Sequence, residues 1–158
     1  MRALRTGRRR NLAGLPHLTI MKDGDPYLTR WWLLPYGETR YRARRHMPAV
    51  LLHRIHRPDH DRAMHDHPWW FVTIVLRGGY VERRDVNGLV QVQYRRAGRW
   101  AFRRATDLHT IASVEENTWT VCVVGPKRRE WGFMGPDGWV DWRTFTAGTG
   151  WTEHGVAS

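Results

Sequence analysis

His65-Asp66-His67-Pro68-Trp69-Trp70 runs directly into Phe71-Val72-Thr73-Ile74-Val75-Leu76 and closes on Arg77-Gly78-Gly79. Along an extended segment, residues two apart point to one face, so His65 and His67 stand side by side while Asp66 faces away. Two neighbouring imidazoles are what a metal ion needs from a single strand, although a lone His-x-His pair also arises as two packed or surface histidines. The β-branched and aromatic run that follows, ended by two glycines, reads as a strand entering a turn.

Outward from this stretch the same texture repeats. Short β-branched and aromatic runs are separated by Gly, Pro, Asp and Asn, and long helical periodicity is missing. Strands are predicted at 17–21, 27–34, 49–57, 71–77, 79–84, 89–95, 99–103, 108–112, 118–124, 131–134 and 139–145. Asp23-Gly24-Asp25-Pro26, Asp85-Val86-Asn87-Gly88 and Pro136-Asp137-Gly138 are strong turn signals. Tyr36–Met47 is read as either a short helix or an arginine-rich loop. So many strands with no room for crossover helices argue for an antiparallel all-β sandwich or barrel.

The chain has 158 residues, the size of one domain, with 41% apolar residues and ten tryptophans, enough for a packed core. Residues 1–14, with Arg2, Arg5, Arg8, Arg9 and Arg10, read as a basic flexible tail on a single domain spanning 15–158, in a cytoplasmic protein. Net charge is +11 with 26 Lys and Arg, which favours anionic partners. Cys122 is the single cysteine, so a disulfide framework and a cysteine-based metal cluster are excluded. It lies in the apolar run Val121-Cys122-Val123, as a buried, unreactive thiol. No apolar run approaches the ~20 residues needed to cross a bilayer.

Beyond Gly79, the segment Gly98-Arg99-Trp100-Ala101-Phe102-Arg103-Arg104-Ala105-Thr106-Asp107-Leu108-His109 supplies a third histidine. Together the two segments resemble the cupin superfamily, whose motifs read G-x5-HxH-x3,4-E-x6-G and G-x5-P-x-G-x2-H-x3-N. His65 and His67 take the paired-histidine positions, Gly78 or Gly79 the closing glycine, Gly98 the second opening glycine and His109 the third histidine. The departures are equally specific. The first opening glycine falls at Asp59, the glutamate at Phe71 or Val72, and the second motif's Pro, Gly and Asn at Arg104, Thr106 and Ser113. Three histidines without the carboxylate is similar to the cysteine-dioxygenase type of cupin. The resemblance implies an all-β, cupin-type double-stranded β-helix (a jelly-roll barrel) and a homodimer, and it makes His65, His67 and His109 the metal ligands.

Three neutral imidazoles leave a divalent ion's charge uncompensated and its coordination open. Fe(II) would support oxygen chemistry; Zn would favour hydrolysis, and Ni or Mn would fit the same donors. The leading expectation is a small-molecule oxygenase acting on an anionic substrate. The alternatives are a non-catalytic cupin that binds or sequesters an anionic small molecule or nucleotide, and, third, a basic nucleic-acid-binding protein. Substrate contacts are expected from Arg30, Arg54, His56, Trp70 and Arg104. On strand 49–57 either Arg54 with His56, or His53 alone, faces the interior, and His60 is an additional ligand candidate.

Overall fold

The computed structural model describes residues 17–34, 46–59 and 63–147, and the backbone of 151–155. The basic tail 1–14, His60 and most of Tyr36–Met47 lie outside the described residues. Twelve strands are formed among those described: β1 (His17–Lys22), β2 (Asp25–Leu34), β3 (Ala49–Ile55), β4 (Phe71–Arg77), β5 (Gly79–Val86), β6 (Leu89–Arg96), β7 (Trp100–Arg103), β8 (His109–Val114), β9 (Thr118–Val124), β10 (Gly132–Gly135), β11 (Gly138–Asp141) and β12 (Trp151–Gly155). They make a seven-stranded antiparallel sheet in the order β12-β1-β2-β3-β9-β4-β7, a three-stranded sheet β6-β5-β8 and the hairpin β10-β11. No described helix is long and apolar enough to cross a membrane.

The turn chemistry accounts for two hairpins. Asp23 and Gly24 (φ 52 and 84), and Asn87 and Gly88 (φ 55 and 80), form two-residue loops with both centres left-handed. This is the turn whose twist matches flanking strands. The predicted strand 139–145 is corrected. β11 ends at Asp141, whose carboxylate accepts from Arg143 N at 2.8 Å and caps a short helix, α1 (Trp142–Thr146). The reason lies in the aromatic spacing. Trp142 stacks on Trp131 (5.7 Å between centroids) and Phe145 on Phe133 (4.1 Å). Positions three apart share a helical face but not a strand face. β12, which pairs with β1, was not expected.

Alternation decides what the large sheet points inward. Trp32, Leu51, Cys122, Thr73 and Ala101 form one cross-strand row; Arg30, His53, Thr120 and Val75 form the next. Two apolar clusters bound these rows: Leu18, Trp32, Ala49, Leu51, Phe71, Cys122 and Val124 on one side, Ile55, Val75 and Tyr80 on the other. A polar belt of Arg30, His53, Thr73 and Thr120 is thus held between hydrophobic layers.

Gly78 carries the chain from β4 in one sheet to β5 in the other at φ 68, and an added Cβ would lie 2.5 Å from Thr118 Oγ1. Gly24 has a similar backbone (φ 84) but open space around it. Gly78→Ala should therefore cost more than about 2 kcal/mol in urea unfolding, against about 1 kcal/mol for Gly24→Ala, where only backbone strain acts.

Candidate metal centre

The segment after β3 crosses between the sheets. His65 makes an isolated antiparallel bridge with His109 at the start of β8: His65 N donates to His109 O (2.9 Å) and His109 N to His65 O (3.0 Å). His67 N donates to Ala105 O at 3.0 Å. Asp66, between the two histidines, points away as the alternation requires. Its buried carboxylate accepts from Arg129 Nη1, from Gly132 N at 2.7 Å and from Trp139 Nε1 at 3.0 Å. The β10–β11 hairpin therefore fixes the roll of the ligand segment.

The three imidazoles meet. One ring nitrogen from each of His65, His67 and His109 lies within 4.8 Å of the other two. His67 Nε2 and His109 Nε2 are 2.8 Å apart. Behind His109, Nδ1 is 3.0 Å from Glu82 Oε1, which makes Nδ1 the protonated nitrogen and leaves the Nε2 lone pair aimed at the common point. His65 Nδ1 stands 3.9 Å from Asp59 Oδ2. Asp59 is held by the Tyr27 hydroxyl, by Thr110 Oγ1 (3.3 Å) and by Ile111 N (2.8 Å). His109 thus has a carboxylate behind it and its Nε2 in front, and the three gathered imidazoles are a donor set that fits a divalent cation.

Glu82 is the hub. Besides His109 it accepts from Arg103 Nε (2.9 Å), again from Arg103 Nη2, and from Arg95 Nε (3.0 Å). Burial would raise its pKa, but the bonds from His109 and Arg103 outweigh that and hold it well below the usual carboxylate range. His67 is kept neutral first by burial, then by His109 and His65, with Arg30 and His53 adding to the effect. Arg30 and His53 therefore lie within electrostatic reach of the cluster.

Those two form a chain of hydrogen bonds. Arg30 Nε can only donate, so His53 Nε2 (3.0 Å) accepts and Nδ1 carries the proton, 3.5 Å from Cys122 Sγ. Cys122 lies 3.4 Å from Thr73 Oγ1, and burial pushes its thiol pKa up. Tyr80 is likewise held as the phenol by burial and by Glu82.

Of the expected substrate contacts, Arg30 alone lies on this interior belt. Arg54 sits on the opposite face of β3, bonded to Asn117 Oδ1 (3.0 Å) and over the Trp119 ring (5.7 Å). His56, past the end of β3, bonds Thr29 Oγ1 at 2.9 Å. Trp70 is 36% exposed and packs towards Phe102 on the outer sheet surface. Arg104 is exposed in a turn capped by Asp107 (3.0 Å). Either parity of β3 satisfied the sequence; the structure turns His53 inward. Glu82 and Asp59 escaped sequence reading. The usable signal for Glu82 was its parity with Tyr80 on β5.

Two outcomes test this arrangement. Glu82→Ala leaves buried Arg103 and Arg95 uncompensated and should cost about 3–5 kcal/mol in denaturant unfolding. His53 is held neutral by burial and then by Arg30, well below its ordinary 6.5. The unfolded chain takes up that proton and the folded chain does not, so stability should fall as pH drops below about 6.5. His53→Asn should flatten that slope in unfolding curves measured between pH 7 and 5.

No family model and no curated protein matches this chain. Solved structures match it in fold. Fe(II)-HppE with the alternative substrate (S)-1-HPP superposes with a TM-score of 0.51 at 15% identity, covering 70% of this chain and 55% of that one. Fe(II) HppE in complex with substrate gives 0.52 at 16% identity, covering 70% and 56%. A candidate mannose-6-phosphate isomerase from Ralstonia eutropha gives 0.50 at 16% identity, covering 65% and 88%. The chain spans a little over half the length of the HppE structures it matches. With its two antiparallel sheets, and with His65, His67 and His109 gathered between them, the chain has the cupin fold expected from its two motifs.

Proposed function

We propose that this chain is a metal-dependent cupin, a small-molecule oxygenase whose three-histidine centre takes Fe(II) and an anionic substrate. The observation that carries the reading is the convergence of three ring nitrogens, with Glu82 fixing the tautomer of His109. HppE, similar in fold, is solved with Fe(II). Zn, Ni or Mn would suit the same imidazoles, which do not discriminate among them by donor type. When bound, Fe(II) supplies open coordination positions and redox chemistry with dioxygen.

The chain's own residues do the rest. Three neutral imidazoles leave positive charge on the ion, so an anionic group is the favoured fourth ligand. Arg30, fixed through Nε by His53, offers its guanidinium to the substrate's negative end from the interior belt. Phe71 stands in apolar contact with His67 (4.7 Å between centroids), where the cupin carboxylate would otherwise fall, and keeps that side of the centre dry and uncharged. A non-catalytic role, sequestering the same anion, is the second reading. It is favoured by Cys122 and Tyr80 around the belt, which burial holds as the thiol and the phenol.

The test is elemental analysis of protein purified without added metal, followed by oxygen uptake on a panel of thiols and small acids. One equivalent of iron is expected in the parent and none in His109→Ala, with the fold kept by circular dichroism. Arg30→Met should keep the metal and weaken substrate binding about tenfold, or ~1.4 kcal/mol. A parent without stoichiometric metal overturns the metal reading. An iron-loaded protein that binds an acid but consumes no oxygen moves the assignment to sequestration.

A further inference from the structure

A cleft of about 440 Å³ lies outside the metal centre, lined by Gln93, Tyr94, Arg95, Arg96, Arg99 and Trp100. It sits where the chain leaves β6, turns through Arg96–Arg99, and enters β7, each the terminal strand of its own sheet. The turn is rigid. Arg99 N donates to Arg96 O (3.0 Å), Gly98 N to Val75 O (2.8 Å) and Ala97 N to Gly78 O (3.1 Å). Its volume falls in the range of small-molecule sites.

The lining combines two chemistries. Arg96 and Arg99 are exposed, and among the described residues neither takes part in an ion pair. Among the described residues, two carboxylates touch the cleft's residues. Glu115 accepts from the Tyr94 hydroxyl, and Glu82 accepts from Arg95 Nε at 3.0 Å while also neutralising Arg103. The positive charge of the turn is therefore left for a ligand. Beside it Trp100 is 65% exposed and Tyr94 50% exposed. Flat aromatic faces in water next to guanidinium forks suit a ligand with both a planar ring and a phosphate.

We propose that this cleft binds a nucleoside monophosphate, with the phosphate against Arg96 and Arg99 and the base stacked on Trp100 and Tyr94. A sugar phosphate would use the arginines and leave the aromatics idle. A longer strand would need a basic groove running past this one turn. The site is separate from the histidine cluster, joined to it through Arg95, Glu82 and His109.

Calorimetric titration of the full chain with AMP, ribose 5-phosphate and a single-stranded oligonucleotide tests the proposal. AMP should bind at least tenfold more tightly than ribose 5-phosphate. Arg96→Ala and Arg99→Ala, both at exposed turn positions, should each weaken AMP about tenfold, and Trp100→Leu by a similar factor. AMP affinity should be the same for protein treated with EDTA as for untreated protein, which separates this site from the metal centre. The proposal is overturned if AMP gives no heat up to millimolar concentration, or if ribose 5-phosphate matches it. AMP affinity indifferent to both arginine substitutions overturns it too, as does binding of the oligonucleotide alone.

Discussion

The carboxylate of Glu82 is the constraint on which the interior turns. It is buried on β5 and receives bonds from Arg95 on β6, Arg103 on β7 and the ring of His109 on β8. Arg103 belongs to the large sheet and the other three to the small one, so a single charged group stitches the two layers together across the barrel. A buried carboxylate tolerates that position only because every lone pair is engaged by a cation or a ring N–H. The same bonds settle which nitrogen of His109 is free. Packing of the sheets and orientation of the candidate ligand are thus one problem with one solution.

This gives the centre an unusual charge distribution. A carboxylate is missing from the position where the cupin motif places one, which falls at Phe71 or Val72. Negative charge is instead set behind the rings: Glu82 is hydrogen-bonded to His109, and Asp59 stands 3.9 Å from His65 Nδ1. Displaced in this way, Glu82 stiffens the His109 imidazole and makes it a better donor without filling a coordination position. Arg30, held by neutral His53, brings positive charge to the same interior, so the space beside the cluster suits an anion.

Much of this was legible from local pattern. The His-Asp-His alternation, the third histidine behind Gly98, and the hairpins at Asp23-Gly24 and Asn87-Gly88 each depend on a few adjacent residues, and the structure has them. What the sequence hid depends on partners far along the chain. Nothing near Glu82 announces that it meets residues 95, 103 and 109, and nothing near Asp59 announces Tyr27 and Ile111. Strand parity was ambiguous wherever both faces carried polar residues, which is why Arg54 and His56 were as plausible as His53. The segment after Trp139 misled because its aromatic and β-branched residues read as strand, although Trp139, Trp142 and Phe145 are spaced by three and Asp141 caps a helix.

Asp66 ties the paired histidines to Arg129, Gly132 and Trp139, residues more than sixty positions downstream. During synthesis the segment bearing His65 and His67 emerges long before its anchor does. The first strands can pair, and His109 can meet Glu82, while the His-Asp-His stretch still lacks its C-terminal tether. The centre is therefore set late, completed only once Trp139 has left the ribosome, and a nascent chain would be a poor metal trap until then.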